Sequence, residues 1–343
     1  MSAHSLQLSI LAVTMFLAAP VGSAGPPAKW HPPRTADGHP DLQGVWTNAT
    51  ITPLERPKEF GERLVISDSE ARAIEAQNQQ FNEASDAPTD PNTRTQDLPH
   101  SCGLGFTGAD CGYNNFWIDR GRSVIEVNGE RRSSLIVEPR DGRVPLSAQR
   151  RQALTERFLM MRTNFDGPEV RPAAERCLLA FGSSSGPPML PVLYNNHYQI
   201  VQNRDTVAIL VEMVHDARII RIGGQHAPPT IRKWMGDSIG RWEADTLVVE
   251  TTNFTEKESF RGSTTHLKIT ERFTRVAPDK INYRFTVDDA GAFTQPWTAE
   301  YPFYATNEPI YEYACHEGNY ALPGILAGAR EDEKRKLKAG KGQ

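Results

Sequence analysis

From about residue 196 the chain breaks into short β-rich runs separated by turns, and this texture narrows the possible folds more than any other feature. The runs are "HYQIVQ", "TVAILVEMV", "ARIIRI", "TLVVETTNF", "HLKITERFTRV", "KINYRFTV", "TQPWTAEYPFY" and "IYEYAC". The linkers are too short for crossover helices, so successive strands should pair antiparallel as a meander. Eight strands are enough to close a small barrel with room for one ligand. The expected fold is mainly β: an antiparallel eight-stranded barrel with a mixed α/coil N-terminal part packed on it.

The upstream half reads differently. Residues 25–41 are rich in Pro and Gly and should be extended coil. "LQGVWTNATITPLERP" is a short strand with a G-x-W at Gly44 and Trp46. "SDSEARAIEAQNQQFNEA" is the clearest helix, opened by a capping box of Ser67 and Glu70. Residues 84–112 read as a long surface loop. Asn128-Gly129 between two apolar runs is a strong hairpin signal, and Ser147 should cap a second helix. "LPGILAGAREDEKRKLKAG" reads as a final helix with a charged tail. The expected division is a signal peptide over 1–24, a wrapping region over 25–190, the barrel over 191–322, and a C-terminal helix and tail over 323–343.

The leader follows from "LSILAVTMFLAAP" and the small residues Gly22 and Ala24, which predict cleavage after Ala24 and a secreted or periplasmic protein. No later segment is apolar enough to span a bilayer. The net charge is -4, with no basic stretch before the extreme C-terminus, so a nucleic-acid partner is not expected. Export places Cys102, Cys111, Cys177 and Cys315 where disulfides form. No C-x-x-C occurs, which argues against a zinc knuckle. Cys102 and Cys111 bracket the Gly-rich "GLGFTGAD", so the favoured pairing is Cys102–Cys111 and Cys177–Cys315.

The G-x-W before a β-meander is similar to the first-strand signature of lipocalin-like barrels. The stretches "PDLQGVWTN", "YNNHYQIVQ", "EMVHDARII", "WMGDSIGRWEADTLVVETTNFT" and "YEYACHEGNYALPGILAGAR" resemble a group of uncharacterised exported bacterial proteins. The resemblance covers most of the mature chain and implies no activity, so a site has to be argued from the residues.

Three clusters carry chemistry. In "EMVHDARII", His215 and Asp216 fall at a bend between two strand-like runs. A His beside a carboxylate can move protons near neutral pH, and Arg218 could hold an anionic group; a structural turn is the competing reading. In "YEYACHEGNY", His316 and Glu317 follow Tyr311, Tyr313 and Cys315. This segment is expected to be the last barrel strand and its exit, presenting His316 or Glu317 at a cavity shared with His215; an aromatic wall with a stapled end is the alternative. "CGYNNFWIDRGR" and "LYNNHYQI" both contain Tyr-Asn-Asn, so Tyr113, Asn115, Asn195 and, from the opposite cluster, Tyr313 suit hydroxyl-rich or phenolic ligands. His197, His215, His226 and His316 could converge, yet no closed ligand motif appears and no metal is expected. There is no nucleophile elbow, Walker A motif or Rossmann fingerprint, so no cofactor is expected. Two functions follow as expectations: a cofactor-free lyase, isomerase or hydrolase acting on a small oxygen-rich, phenolic or carbohydrate-like substrate, or a non-catalytic carrier of a small aromatic or apolar ligand.

Overall fold

The structure is a computed structural model and describes residues 30–86, 92, 94, 118, 119, 121–180, 185–257 and 260–340. The strands are β1 (Gly44–Thr47), β2 (Val65–Ile66), β3 (Glu126–Val127), β4 (Glu130–Arg132), β5 (Ile136–Glu138), β6 (His197–Gln202), β7 (Thr206–Val211), β8 (Ala217–Ile222), β9 (Asp237–Glu243), β10 (Thr246–Thr252), β11 (Lys268–Ala277), β12 (Lys280–Asp288) and β13 (Trp297–Ala305). The helices are α1 (Asp68–Asp86), α2 (Ala148–Thr163) and α3 (Ala321–Gly340). All belong to one unit, Pro32–Gln343.

Among the described residues, nine strands close into a barrel in the order β1-β6-β7-β8-β9-β10-β11-β12-β13, with β1 returning to β13 through Trp46 opposite Ala305 and Thr47 opposite Tyr304. The expected eight antiparallel strands are therefore corrected to a nine-stranded mixed barrel. Two strands account for the difference. The G-x-W strand β1 is a barrel stave, although it lies far upstream of the meander. The polar "DSIGRWE" forms β9, and β8 runs parallel to it, Ile220 opposite Ser238 and Ile222 opposite Gly240. The long connection 223–236 supplies the crossover that a parallel pair requires.

"YEYACHEGNY" is not a strand. Residues 306–320 run as irregular chain along the outside, and the last stave is Trp297–Ala305. Closure explains this: β13 already pairs with β1, β12 and β5, so no edge remains for a further strand.

The upstream reading holds locally. Glu70 N–H donates to Ser67 Oγ at 3.2 Å while Ser67 N–H donates to Glu70 Oε2 at 2.8 Å, the reciprocal bonds of a capping box. Arg150 N–H donates to Ser147 Oγ at 3.3 Å, capping α2. Asn128 and Gly129, with φ 54° and 80°, turn β3 into β4, and β4 pairs with β2 in a small second sheet. Cys177 and Cys315 form the expected disulfide, Cα atoms 5.8 Å apart. Cys102 and Cys111 lie outside the described residues.

The barrel interior is filled. Inward positions alternate along each stave, giving Trp46, Tyr198, Phe273, Tyr283, Phe285, Tyr301 and Phe303, all buried. The Tyr283 ring lies 4.9–5.8 Å from those of Phe273, Phe285, Tyr301 and Phe303, the spacing of offset and edge contacts. A chain segment also enters the barrel. Met189 is fully buried; its N–H donates to Tyr283 Oη at 3.2 Å, and its carbonyl accepts from Asn48 Nδ2 at 2.9 Å and Tyr301 Oη at 2.7 Å. The tyrosine hydroxyls thus satisfy backbone groups that burial would otherwise leave unpaired.

Candidate functional site

The strand registers bring the starts of β6, β8, β9, β11 and β13 and the ends of β1, β7, β10 and β12 to one rim. The "EMVHDARII" turn lies on this rim. It turns sharply between β7 and β8, with Val214 at φ 60°, and Val211 N–H donates to the Asp216 carbonyl at 2.8 Å. The Asp216 carboxylate accepts a hydrogen bond from Ser185 Oγ, at the head of the segment that enters the barrel. The side chain of His215 lies outside what the structure describes.

Arg218 points inward from β8. Its guanidinium grips Glu271 of β11 with two bonds, 3.0 and 2.6 Å, and Tyr283 Oη donates to Glu271 Oε1 at 2.7 Å. Burial alone would lower the Arg218 pKa, but the charge and hydrogen bonds of Glu271 outweigh it and leave the pKa raised. The fork expected to hold an anionic ligand is occupied by the protein's own carboxylate.

A second pair sits on the outer side of the same rim, and sequence reasoning did not single it out as a pair. His197 opens β6 on the pleat opposite Tyr198 and Ile200. Its Nδ1 lies 2.9 Å from Glu212 Oε2, and its Nε2 lies 3.4 Å from Glu308. The signal was in the hairpin. Tyr198 pairs with Val211, so the next residues outward, His197 and Glu212, face each other. The Glu212 N–H donates to the His197 carbonyl at 3.0 Å, closing the register.

The irregular segment 306–320 covers this pair. Tyr311 N–H donates to Glu212 Oε1 at 3.0 Å, so each Glu212 oxygen has a partner, and the Asn195 side chain adds a third bond. Asn195 reaches this position with φ 55°. Burial pushes the Glu212 carboxyl up, but the bonds from His197, Tyr311 and Asn195 outweigh it and hold it below the usual carboxylate range. His197 is raised, chiefly by its hydrogen bond to Glu212; burial opposes this, and the charges of Glu212, Glu308 and Asp119 reinforce it. Charge and geometry agree: the imidazole lies between two carboxylates, one buried and one at the surface, which favour its protonated form.

The other expected residues divide. Tyr313 is half-buried and bonded to Tyr194, whose pKa is pushed up to about 12, first by burial and then by Tyr313. His316 and Glu317 are both exposed. Tyr313, Cys315, Glu317 and Asn319 line a groove of about 410 Å³ against Glu175 and the start of α3; His316 does not line it. Tyr113 and Asn115 lie outside the described residues. Among the described residues no three His, Cys, Asp or Glu side chains are placed to hold a metal ion, and no helix is long and apolar enough to cross a membrane. The segment 306–320 thus ties the buried disulfide end to the His197–Glu212 pair. Searches against protein-family models, curated proteins and solved structures return no match for this chain.

Proposed function

We propose that the protein is an exported, cofactor-free acid–base enzyme acting on a small oxygen-rich substrate of phenolic or carbohydrate-like type, with His197 as its proton donor. The observation that carries this reading is the polarity of the pair. Nδ1 is fixed by buried Glu212, while Nε2 faces the rim and a carboxylate that is 68% exposed. Glu212 sets the ring orientation and stabilises the imidazolium, as an orienting carboxylate does for a catalytic His. His197 delivers the Nε2 proton to a leaving or carbonyl oxygen. Glu308 accepts a proton from the substrate or from water and then returns it to His197 Nε2, 3.4 Å away, which restores the starting state. Tyr313 and Glu317 in the groove lined by the same 306–320 segment, with Asp216 on the rim, are the proposed substrate-facing residues; His316 is a secondary candidate. The Cys177–Cys315 bond supports export, since disulfides persist in oxidising compartments.

The carrier reading draws less support, because aromatic side chains and Met189 occupy the space a lipocalin-like carrier would offer its ligand. The test is turnover on a panel of aryl glycosides and phenolic esters. His197→Ala should lower kcat about 100-fold or more, the usual contribution of a positioned acid–base group, in a chain whose folding is confirmed by circular dichroism, because loss of Glu212's buried partner also lowers Tm. Full turnover in His197→Ala would overturn the assignment.

A further inference from the structure

Residues 306–320 are fastened to the barrel at few points. Thr306 N–H donates to the Val45 carbonyl at 3.0 Å, and Tyr311 N–H donates to Glu212 Oε1 at 3.0 Å. Among the described residues the other backbone bonds of this stretch close on itself: Cys315 on Tyr313, Glu317 on Ala314, Asn319 on His316 and Tyr320 on Gly318. Side chains add Glu308 to His197 and Tyr313 to Tyr194. No sheet ladder includes the segment. The Cys177–Cys315 bond is its cross-link to the rest of the fold.

The two sulfurs of that bond differ in access. Cys177 is 7% exposed and stands in a tight turn of its own. Its N–H donates to the Ala174 carbonyl at 3.1 Å, and Leu178 N–H donates to the Ala173 carbonyl at 2.9 Å. Cys315 is half-buried and lines the groove of about 410 Å³, where the neighbouring wall is made of small residues, Ala174, Ala314, Gly318 and Ala321. Asn319 Nδ2 donates to Cys177 Sγ at 3.6 Å, so a donor already faces the less accessible sulfur. Thiol–disulfide exchange depends on access to the attacked sulfur and on how well the departing one carries negative charge; exposed disulfides are the labile ones. This bond has an open side at Cys315 and a supported leaving group at Cys177.

We propose that Cys177–Cys315 is a thiol-exchange site, cleaved through the groove by a dithiol reductant, and that cleavage releases residues 306–320 from the His197–Glu212 pair. One thiolate of the dithiol attacks Cys315 Sγ. The bond to Cys177 breaks, and Cys177 leaves as a thiolate beside Asn319. The second thiolate of the reductant then displaces Cys315 from the mixed disulfide. Two electrons pass to the protein, the two protons of the dithiol end on the two cysteines, and the reductant ends as a cyclic disulfide. The turn keeps Cys177 in place, so the side that moves is Cys315. Its segment carries the Tyr311 N–H away from Glu212 and Glu308 away from His197. The exchange site stands whether or not His197 turns a substrate over; where it does, the oxidised chain is the active form.

The test treats the full chain with dithiothreitol in native buffer and blocks thiols with iodoacetamide at timed intervals. Mass spectrometry reads Cys177 and Cys315 in peptides separate from Cys102 and Cys111, and amide hydrogen exchange is followed on the same samples. Both Cys177 and Cys315 should become alkylable without denaturant. The Tyr311 amide should then exchange faster by about tenfold or more relative to any rise at β6 and β12, the mark of local rather than global opening. Asn319→Asp keeps the acceptor that its Oδ1 offers to Ala321 N–H and replaces the donor to Cys177 with a negative charge. It should slow cleavage about tenfold or more, because the departing thiolate loses its support. Were that variant not to fold, the wild-type time course and exchange pattern decide alone. Cleavage that needs urea, an equal rise in exchange at Tyr311 and in the staves, or an Asn319→Asp bond cut as fast as the wild type would each overturn the site.

Discussion

The barrel holds two cation–carboxylate pairs that differ in what they leave open. Arg218 and Glu271 are 2% and 0% exposed, and Tyr283 takes up a further Glu271 lone pair. His197 and Glu212 are 10% and 2% exposed, and one imidazole nitrogen still points at a surface carboxylate. The first pair is saturated by protein and can do little but hold β8 to β11. The second leaves one imidazole nitrogen, Nε2, directed at the exposed Glu308 carboxylate, the asymmetry that proton transfer needs. A motif search weights the residues "HDAR" equally; burial separates the structural Arg218 from the half-buried Asp216.

The comparison breaks most severely inside the barrel. Arg218→Ala leaves Glu271 buried without its counter-charge, which should cost about 3–5 kcal/mol and be read as a fall in the urea midpoint. A loss near zero would mean that solvent reaches Glu271 and that the two pairs are not different in kind. Next in size is the Cys177–Cys315 bond, which closes a separation of 138 residues. Replacing both cysteines by Ser should cost about 2–5 kcal/mol. It should also lower turnover, because the segment it anchors supplies the Tyr311 N–H and Glu308. Stability loss with full turnover would detach that segment from the site.

pH separates the pairs more gently. The folded pKa of His197 is raised, so its stabilising contribution is complete below the unfolded value and fades as pH rises through the folded one. Glu212 is lowered, so its contribution is complete above the unfolded carboxylate value and fades as pH falls through the folded one. Stability should plateau between the two and decline on the alkaline side, and His197→Gln should flatten that decline. Arg218 and Tyr283 are both raised, away from neutrality, and should add no slope there. An alkaline decline that survives in His197→Gln would assign it elsewhere. The smallest effect is a gain: Arg261 stands at φ 48° on the β10–β11 connection, and Arg261→Gly relieves about 1–2 kcal/mol of left-handed strain, offset by the extra entropy glycine loses, for a net of about 0.5–1 kcal/mol in the denaturation midpoint. A fall instead would show that the guanidinium supports the fold.

Local signals in the sequence were read well because local physics determines them. The Ser67–Glu70 box, the Asn128-Gly129 turn and the Ser147 cap each rest on residues no more than three apart. Strand periodicity likewise gave β6, β7, β8 and β10 through β13. Ring closure could not be read in this way. Nothing in "LQGVWT" says that it will lie between β6 and β13, and nothing in "IYEYAC" says that its place is taken. β9 hid because Gly240 and its charged flanks break the apolar alternation; it pairs antiparallel with β10 along its length and parallel with β8. The site was legible one residue at a time. Glu212, His197 and Asn195 stood in the sequence as separate polar residues, and only the β6–β7 register joins them.

The meeting of residues 46–47 with 304–305 also has a consequence for synthesis. A chain being made from its N-terminus holds β1 in waiting while more than two hundred residues follow, and through that interval the growing sheet has an unprotected edge. Pairings this distant in sequence form slowly. A version stopped at residue 296 never acquires the closing stave, and it should sediment as aggregate where the full chain remains in the supernatant. The ring that leaves the barrel without a free edge makes its assembly depend on one of the last strands to be translated.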